Sequence, residues 1–194
     1  MKIKRFTLQE IEYVYNTHLI NDFPSAEVKP LSRIQYLYEK ELYFGYGLYD
    51  ETEALLAYAF FSDAYGCEFV LLDYLAVVSG HRGTGLGTKM LTLLKEEIVK
   101  EHEGIILESE NPDFAENAKD FDVRTRRIQF YLNNDFSSTK MVSRLFGVEY
   151  RIFVYAKKQP STLSLAYATV ALYKALIAEK HLKDNVSLRI EELF

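Results

Sequence analysis

Gly83, Gly85 and Gly87 alternate behind Arg82 in the stretch Val78-Ser79-Gly80-His81-Arg82-Gly83-Thr84-Gly85-Leu86-Gly87-Thr88-Lys89. An apolar, strand-like run precedes this stretch, and apolar residues at helical spacing follow it. Glycines let the backbone turn sharply and leave its N–H groups uncovered, so several amides and the positive end of a helix dipole can converge on one anion. The chemistry of such a turn is the capture of a phosphate or pyrophosphate.

Spacing separates the candidate owners of the turn. A nucleotide P-loop needs lysine directly after its last glycine, whereas the order here is Gly87-Thr88-Lys89. The dinucleotide fingerprint G-x-G-x-x-G is missed by one position, although Glu108 stands about 20 residues beyond the turn, where that fold keeps a ribose-binding acid. That reading stays open as a rival, as does a glycine-rich connection that holds no ligand. The stretch most resembles the R-x-x-G-x-G signature of the GNAT superfamily of acyl-CoA-dependent N-acetyltransferases, with Arg82, Gly85 and Gly87 in the signature positions.

The resemblance implies a cofactor path and two proton-transfer groups. The strand edge Leu75, Ala76 and Val77 would pair with the pantetheine arm of acetyl-CoA. Its pyrophosphate would sit on Arg82, Gly83, Thr84, Gly85, Leu86, Gly87 and Thr88. Acyl transfer from a thioester to an amine needs a neutral nucleophile, a base for the ammonium proton and a donor for the leaving thiolate. Glu108, ending Ile105-Ile106-Leu107-Glu108, matches the family's base position, and Tyr131, in Tyr131-Leu132-Asn133-Asn134-Asp135-Phe136, matches its Y-x-x-x-G-F general acid. Asp73 is a second candidate base. Each has a plainer reading: a solvated loop cation for Arg82, a strand-end acid for Glu108, a core aromatic for Tyr131, a structural acid for Asp73. The chain departs from the family pattern at Asp135, in place of glycine, and at Arg124, in place of a cofactor-binding asparagine. Asn134 is expected to supply the left-handed helix cap instead, and Arg124 or Arg127 to reach a CoA phosphate.

The elements that must position these groups are readable from periodicity. Met1 to Phe6 reads as an edge strand, and Thr7-Leu8-Gln9-Glu10 as a capping box opening a helix to about Leu19. Ser32-Arg33-Ile34-Gln35 repeats the capping pattern before a second helix. Gly45–Tyr49, Ala54–Ser62 and Cys67–Val78 read as an antiparallel meander, Thr88–Lys100 as a helix, and Gly104–Glu110 as a strand parallel to its predecessor. An acidic insertion over Asn111–Asp122, a helix over Val123–Leu132 and a hairpin of Ser137–Phe146 with Val148–Ala156 complete the order. This is the family's order from end to end. It implies an α/β GNAT fold: a mixed, mostly antiparallel sheet with a central, splayed parallel strand pair flanked by helices. Beyond Pro160, Ser161–Lys183 carries Leu165, Thr169, Leu172, Leu176 and Ile177 at helical spacing, and Val186–Phe194 reads as a short strand. Residues 1–158 are therefore expected to form the acetyltransferase domain, with 159–194 as a C-terminal helical extension packed on it.

Composition narrows the partners. The chain has 194 residues, 48% hydrophobic, with 15 Tyr and 13 Phe, enough for one full core. A net charge of −5 argues against a nucleic-acid footprint. No apolar run approaches the roughly 18 residues of a membrane span. Cys67 is the lone cysteine, placed in an apolar run as a packed thiol, and four scattered histidines offer no metal spacing. The expectation is a cytoplasmic N-acetyltransferase, monomer or homodimer, using acetyl-CoA as cosubstrate and taking a small-molecule or peptide amine. A non-catalytic acyl-CoA-binding module is the alternative. Asp22, Phe23, Glu27, Tyr36, Tyr43 and the aromatics near Phe146 are the expected acceptor surface.

Overall fold

The computed structural model describes residues 1–25 and 27–191. After β1 (Lys2–Arg5), Thr7 opens α1 (Leu8–Val14) with the expected capping box. Its hydroxyl accepts from the Glu10 amide at 3.3 Å, while the Glu10 carboxylate accepts from the Thr7 amide at 2.7 Å. The helix widens into a π-helical turn over Tyr15–Leu19 and ends in α2 (Ile20–Asp22). The second capping pattern is overturned. Helix α3 (Leu31–Glu39) starts from Pro30, whose fixed φ presets the entry, and Ser32 lies inside the first turn without capping it.

Strands β2 (Tyr43–Tyr49), β3 (Leu55–Ser62) and β4 (Phe69–Val77) form the meander. Helix α4 (Leu86–Ile98) carries the chain over to β5 (Gly104–Glu110). Next come a 3-10 turn (Pro112–Phe114), α5 (Ala118–Leu132), β6 (Ser137–Leu145) and β7 (Val148–Ala156). The supposed insertion is thus partly helical, because Asn117 accepts from the Asp120 amide and starts α5 five residues before Val123. Among the described residues eight strands, the last being β8 (Val186–Ile190), lie in the order β1-β2-β3-β4-β5-β7-β6-β8, every neighbour antiparallel except β4 and β5.

That parallel pair is short. It runs from Phe69 opposite Gly104 to Leu72 opposite Leu107 and then stops, although both strands continue. At the same point the β3–β4 ladder skips Asp73, with Phe61 opposite Leu72 and Phe60 opposite Tyr74. This bulge re-aims the chain as the two strands part. At the closed end, a Cβ on Gly104 would lie 2.1 Å from the Tyr155 carbonyl, so only glycine lets β7 approach there.

The sheet separates two apolar layers. On one face, Tyr43, Tyr58, Phe60, Leu71, Ile106 and Ile152 pack against Ile11, Leu19, Ile34, Leu37, Leu165 and Leu172 of the helices. On the other, Phe44, Phe61, Val70, Ile105, Leu107 and Phe153 meet Met90, Leu91 and Leu94 of α4, with Ile128, Phe130 and Tyr131 of α5 at the margin. Full burial of each such side chain is worth about 1.5–3 kcal/mol.

The tail joins the first layer. The expected single helix over Ser161–Lys183 is two helices, α6 (Thr162–Leu176) and α7 (Glu179–Asn185), parted by extended Ile177 and Ala178. Arg33 of α3 stops α6 by donating to the Ala175 and Leu176 carbonyls at 3.0–3.2 Å, a cation on the negative helix end. Strand β8 (Val186–Ile190) then pairs with β6; the expected continuation over residues 192–194 lies outside the described residues. No helix among the described residues is long and apolar enough to cross a membrane.

Because Leu172 is fully buried in the core shared by α6 and the sheet, Leu172→Ala should cost about 2–5 kcal/mol in urea unfolding. A cost near zero would mean that α6 is not an integral part of the core.

Candidate active site

The glycine turn bends as its sequence requires. Gly80, Gly83 and Gly85 have φ of 91°, 78° and 81°, and a Cβ added to any of them would meet nothing within 4 Å. The strain of a side chain there is conformational, since the space in front of the turn is open. The His81 amide donates to Val78 and the Lys89 amide to Gly85. Between them, no backbone amide has a hydrogen-bonded acceptor among the described residues. Arg82, Gly83, Thr84 and Gly85 are exposed, Leu86 is buried in the α4 layer, and Gly87 touches the Phe130 ring. An open depression of about 400 Å³ adjoins the turn at Met1, Thr84, Gly85, Leu86 and Lys89.

Arg82 reaches away from this space. Its Nη2 donates to Asp22 Oδ1 at 2.6 Å and its Nε to the Val77 carbonyl at 3.3 Å, tying the turn to the end of the first helical stretch. Asp22 also accepts from the Tyr58 hydroxyl at 2.9 Å, and its carboxylate is only 9% exposed. Leu75, Ala76 and Val77 are half-buried and pair with β3 alone, so their other edge faces the divergence from β5.

Asp73 and Glu108 are the residues immediately beyond the last parallel pair, one on each strand. Asp73 accepts from Lys29 Nζ and from the Tyr43 hydroxyl, each at 2.6 Å, which occupies both carboxylate oxygens. Glu108 is held by one oxygen only: Oε1 accepts from the Ser143 hydroxyl of β6 and the Tyr173 hydroxyl of α6. Burial pushes its carboxyl above the ordinary 4.5, opposed by those two hydrogen bonds and by the Lys29 charge. The Tyr173 hydroxyl, buried beside this acid, is held well above 10 and keeps its proton.

Tyr131 stands on the other layer. Its half-buried ring packs at 5.3 Å from Phe130 and 5.8 Å from Phe136, its hydroxyl has no protein partner among the described residues, and burial raises its pKa. It shares no hydrogen bond with Glu108.

Several expected roles are corrected. Asp135 itself takes the left-handed cap, at φ 65°, with its carboxylate 2.6 Å from the buried Lys95 ammonium, so Asn134 is not needed there. Arg124 is buried and spent on Asp120, Glu110 and the carbonyls of Asn111 and Phe114, which leaves no donor geometry for a CoA phosphate. Arg127 pairs with Glu110 at 2.9 Å. Within the expected acceptor surface, Phe23 packs on the Tyr74 ring at 5.0 Å, and Glu27 lies close enough to Glu110 to have its pKa raised, after burial. Tyr36 instead lies exposed under the Arg33 and Lys40 cations, and Phe146 sits at the hairpin tip against His181. Cys67 is half-buried with its thiol raised by burial, and no group of three or more metal-ligating side chains exists among the described residues. Ser143 and Tyr173 were not singled out from the sequence. A hydroxyl on the apolar stripe of a tail helix was the one available signal.

A sequence model of the acetyltransferase (GNAT) family matches residues 8–118, and the chain belongs to that family. No curated protein matches the sequence. Among solved structures, a protein described as a GNAT-family acetyltransferase from Bacteroides thetaiotaomicron superposes with a TM-score of 0.71 at 16% identity, over 92% of this chain and 100% of that one. A spermidine N-acetyltransferase mutant from Vibrio cholerae gives 0.60 at 9% identity over 80% and 95%. The ribosomal-protein-S18-alanine N-acetyltransferase of Escherichia coli gives 0.57 at 17% over 83% and 96%. At these identities the likeness is one of fold.

Glu108 is an acid whose folded pKa lies above its unfolded value, so it binds its proton more tightly in the native state. The resulting penalty is absent below about pH 4.5 and grows as pH rises through the folded pKa. Glu108→Gln, which keeps an acceptor without the charge, should therefore gain stability relative to wild type between pH 4 and neutrality. A stability difference independent of pH would contradict the raised pKa.

Proposed function

We propose that the protein is an N-acetyltransferase that transfers the acetyl group of acetyl-CoA to a primary amine. The observation that carries this reading is the opening between β4 and β5, with uncovered turn amides at its rim and a singly anchored carboxylate, Glu108, at its apex.

The residues present suit the cosubstrate. The amides of residues 82–88 offer the anion site, and the free edge of Leu75 to Val77 offers backbone groups to an amide-bearing arm. In the reaction, the neutral amine nitrogen bonds to the thioester carbonyl carbon, the carbon–sulfur bond breaks, and the proton the nitrogen sheds on becoming an amide leaves to solvent, from which Tyr131 is reprotonated. Glu108 takes the ammonium proton, its raised pKa bringing it closer to the working pH of a base. Tyr131, whose hydroxyl is unspent and keeps its proton, delivers it to the thiolate sulfur. Asp73 is the poorer base because both oxygens already accept. We further assign residues 1–158 to the acetyltransferase domain and 159–194 to a C-terminal extension, whose described residues, 159–191, pack on it.

Gly85→Glu places a negative charge at the cradle and Gly85→Ala only strains it, so acetyl-CoA affinity by calorimetry should fall far more in the first variant. Equal affinities in wild type and Gly85→Glu would remove the cofactor assignment.

Tyr131→Phe keeps the packing and should lower turnover by about 10²–10⁴ with CoA affinity near normal, measured on the best amine from a screen of amine classes. Undiminished turnover would return Tyr131 to a core role, and tight acetyl-CoA binding with no transfer to any amine class would indicate a binding module.

A further inference from the structure

Helix α6 lies beyond the residues matched by the family model, yet it places the Tyr173 hydroxyl on the acid at the apex of the opening. Ser143 of β6 donates to the same oxygen from another element. Glu108 Oε2 has no hydrogen-bond partner among the described residues, and Glu108 as a whole is only partly buried. Two donors on one oxygen fix the carboxylate plane, because a single bond would leave the group free to rotate about it. Tyr173 is itself immobile, 2% exposed in the core with Leu172 and Leu176.

We infer that Tyr173 and Ser143 are positioning residues for the base: they hold Glu108 by Oε1 and leave Oε2 as the proton-accepting atom. The tail is then part of the catalytic apparatus as well as a cover for the sheet. This rests on the assignment of Glu108 as base. The other charged or titratable groups facing Glu108 are Asp73 from β4, Lys29 from the segment before α3, and Tyr150 from β7. Glu110, on the same strand, is paired with Arg124 and Arg127. Hydroxyl donors favour the charged carboxylate, so losing either one should raise the pH at which Glu108 ionises.

The test follows the Glu108 carboxyl directly, by carbon-13 NMR titration of protein labelled at its glutamate side chains, with Glu108→Gln identifying the resonance. Tyr173→Phe and Ser143→Ala should each move the Glu108 midpoint to higher pH, the double variant furthest, without moving the other glutamates together. A midpoint equal to wild type in both single variants overturns the inference, even if Tyr173→Phe lowers the melting temperature as lost packing would. Should Tyr173→Phe not fold, Ser143→Ala reads the same oxygen and decides alone. The base assignment fails separately: an acidic limb of the acetyl-transfer rate profile that survives in Glu108→Gln removes the base while leaving the titration result standing.

Discussion

Everything at the site depends on the β4–β5 ladder ending at Leu72 and Leu107. A sheet whose central strands part exposes backbone donors and acceptors in its interior, a cost that ordinary sheets confine to their edges. Here the parting is held from both sides. β3 stays paired with β4 as far as Val77, β7 stays paired with β5 as far as Glu110, and glycine at position 104 lets β7 close tightly at the other end. Each half of the sheet is therefore hydrogen-bonded on its outer side along the whole length of the gap. The bulge at Asp73 turns both Asp73 and Tyr74 toward Lys29, whose ammonium and backbone amide engage them.

The opening also solves a problem of sidedness. Glu108 is anchored through Tyr173 in the layer of α1, α3 and α6, whereas Tyr131 packs with Phe136 in the layer of α4 and α5. In a continuous sheet, groups from opposite faces cannot address one reacting centre. In the proposed reading, the gap lets Glu108 from one layer and Tyr131 from the other address a thioester lying in the plane between them, with no hydrogen bond between the two residues.

The sequence was most legible where short-range rules govern. The glycine spacing, the Thr7 capping box and the β-branched and aromatic runs of the meander parted by turn clusters each rest on residues a few positions apart, and the parallel crossover on the helix that must join two parallel strands. The capping pattern at Ser32 misled because Pro30 had already set the helix entry. Arg124 misled because its partners, Asp120, Glu110 and two carbonyls, gather only once the 3-10 turn forms. The Glu108 anchors were out of reach, since Ser143 and Tyr173 lie 35 and 65 residues away in sequence and ordinary hydroxyls carry no spacing signature. Position 135 shows a substitution obeying the same constraint as the residue it replaces. Aspartate tolerates the left-handed conformation, and here it also neutralises a buried lysine.

Arg82, which the proposed function places on the pyrophosphate, is bonded to Asp22 in the free protein. Its partner Asp22 is 9% exposed and shared with Tyr58, so it is fixed, whereas the Arg82 side chain is 62% exposed and free to leave. In the proposed reading, a pyrophosphate on the turn offers the guanidinium charge-assisted bonds as well, beside backbone amides that have no protein acceptor among the described residues. Asp22 keeps the Tyr58 hydroxyl, beside the residues that precede α3. Through Arg82 the glycine turn and the end of the first helical stretch share one side chain, bonded to Asp22 on one side and to the Val77 carbonyl on the other.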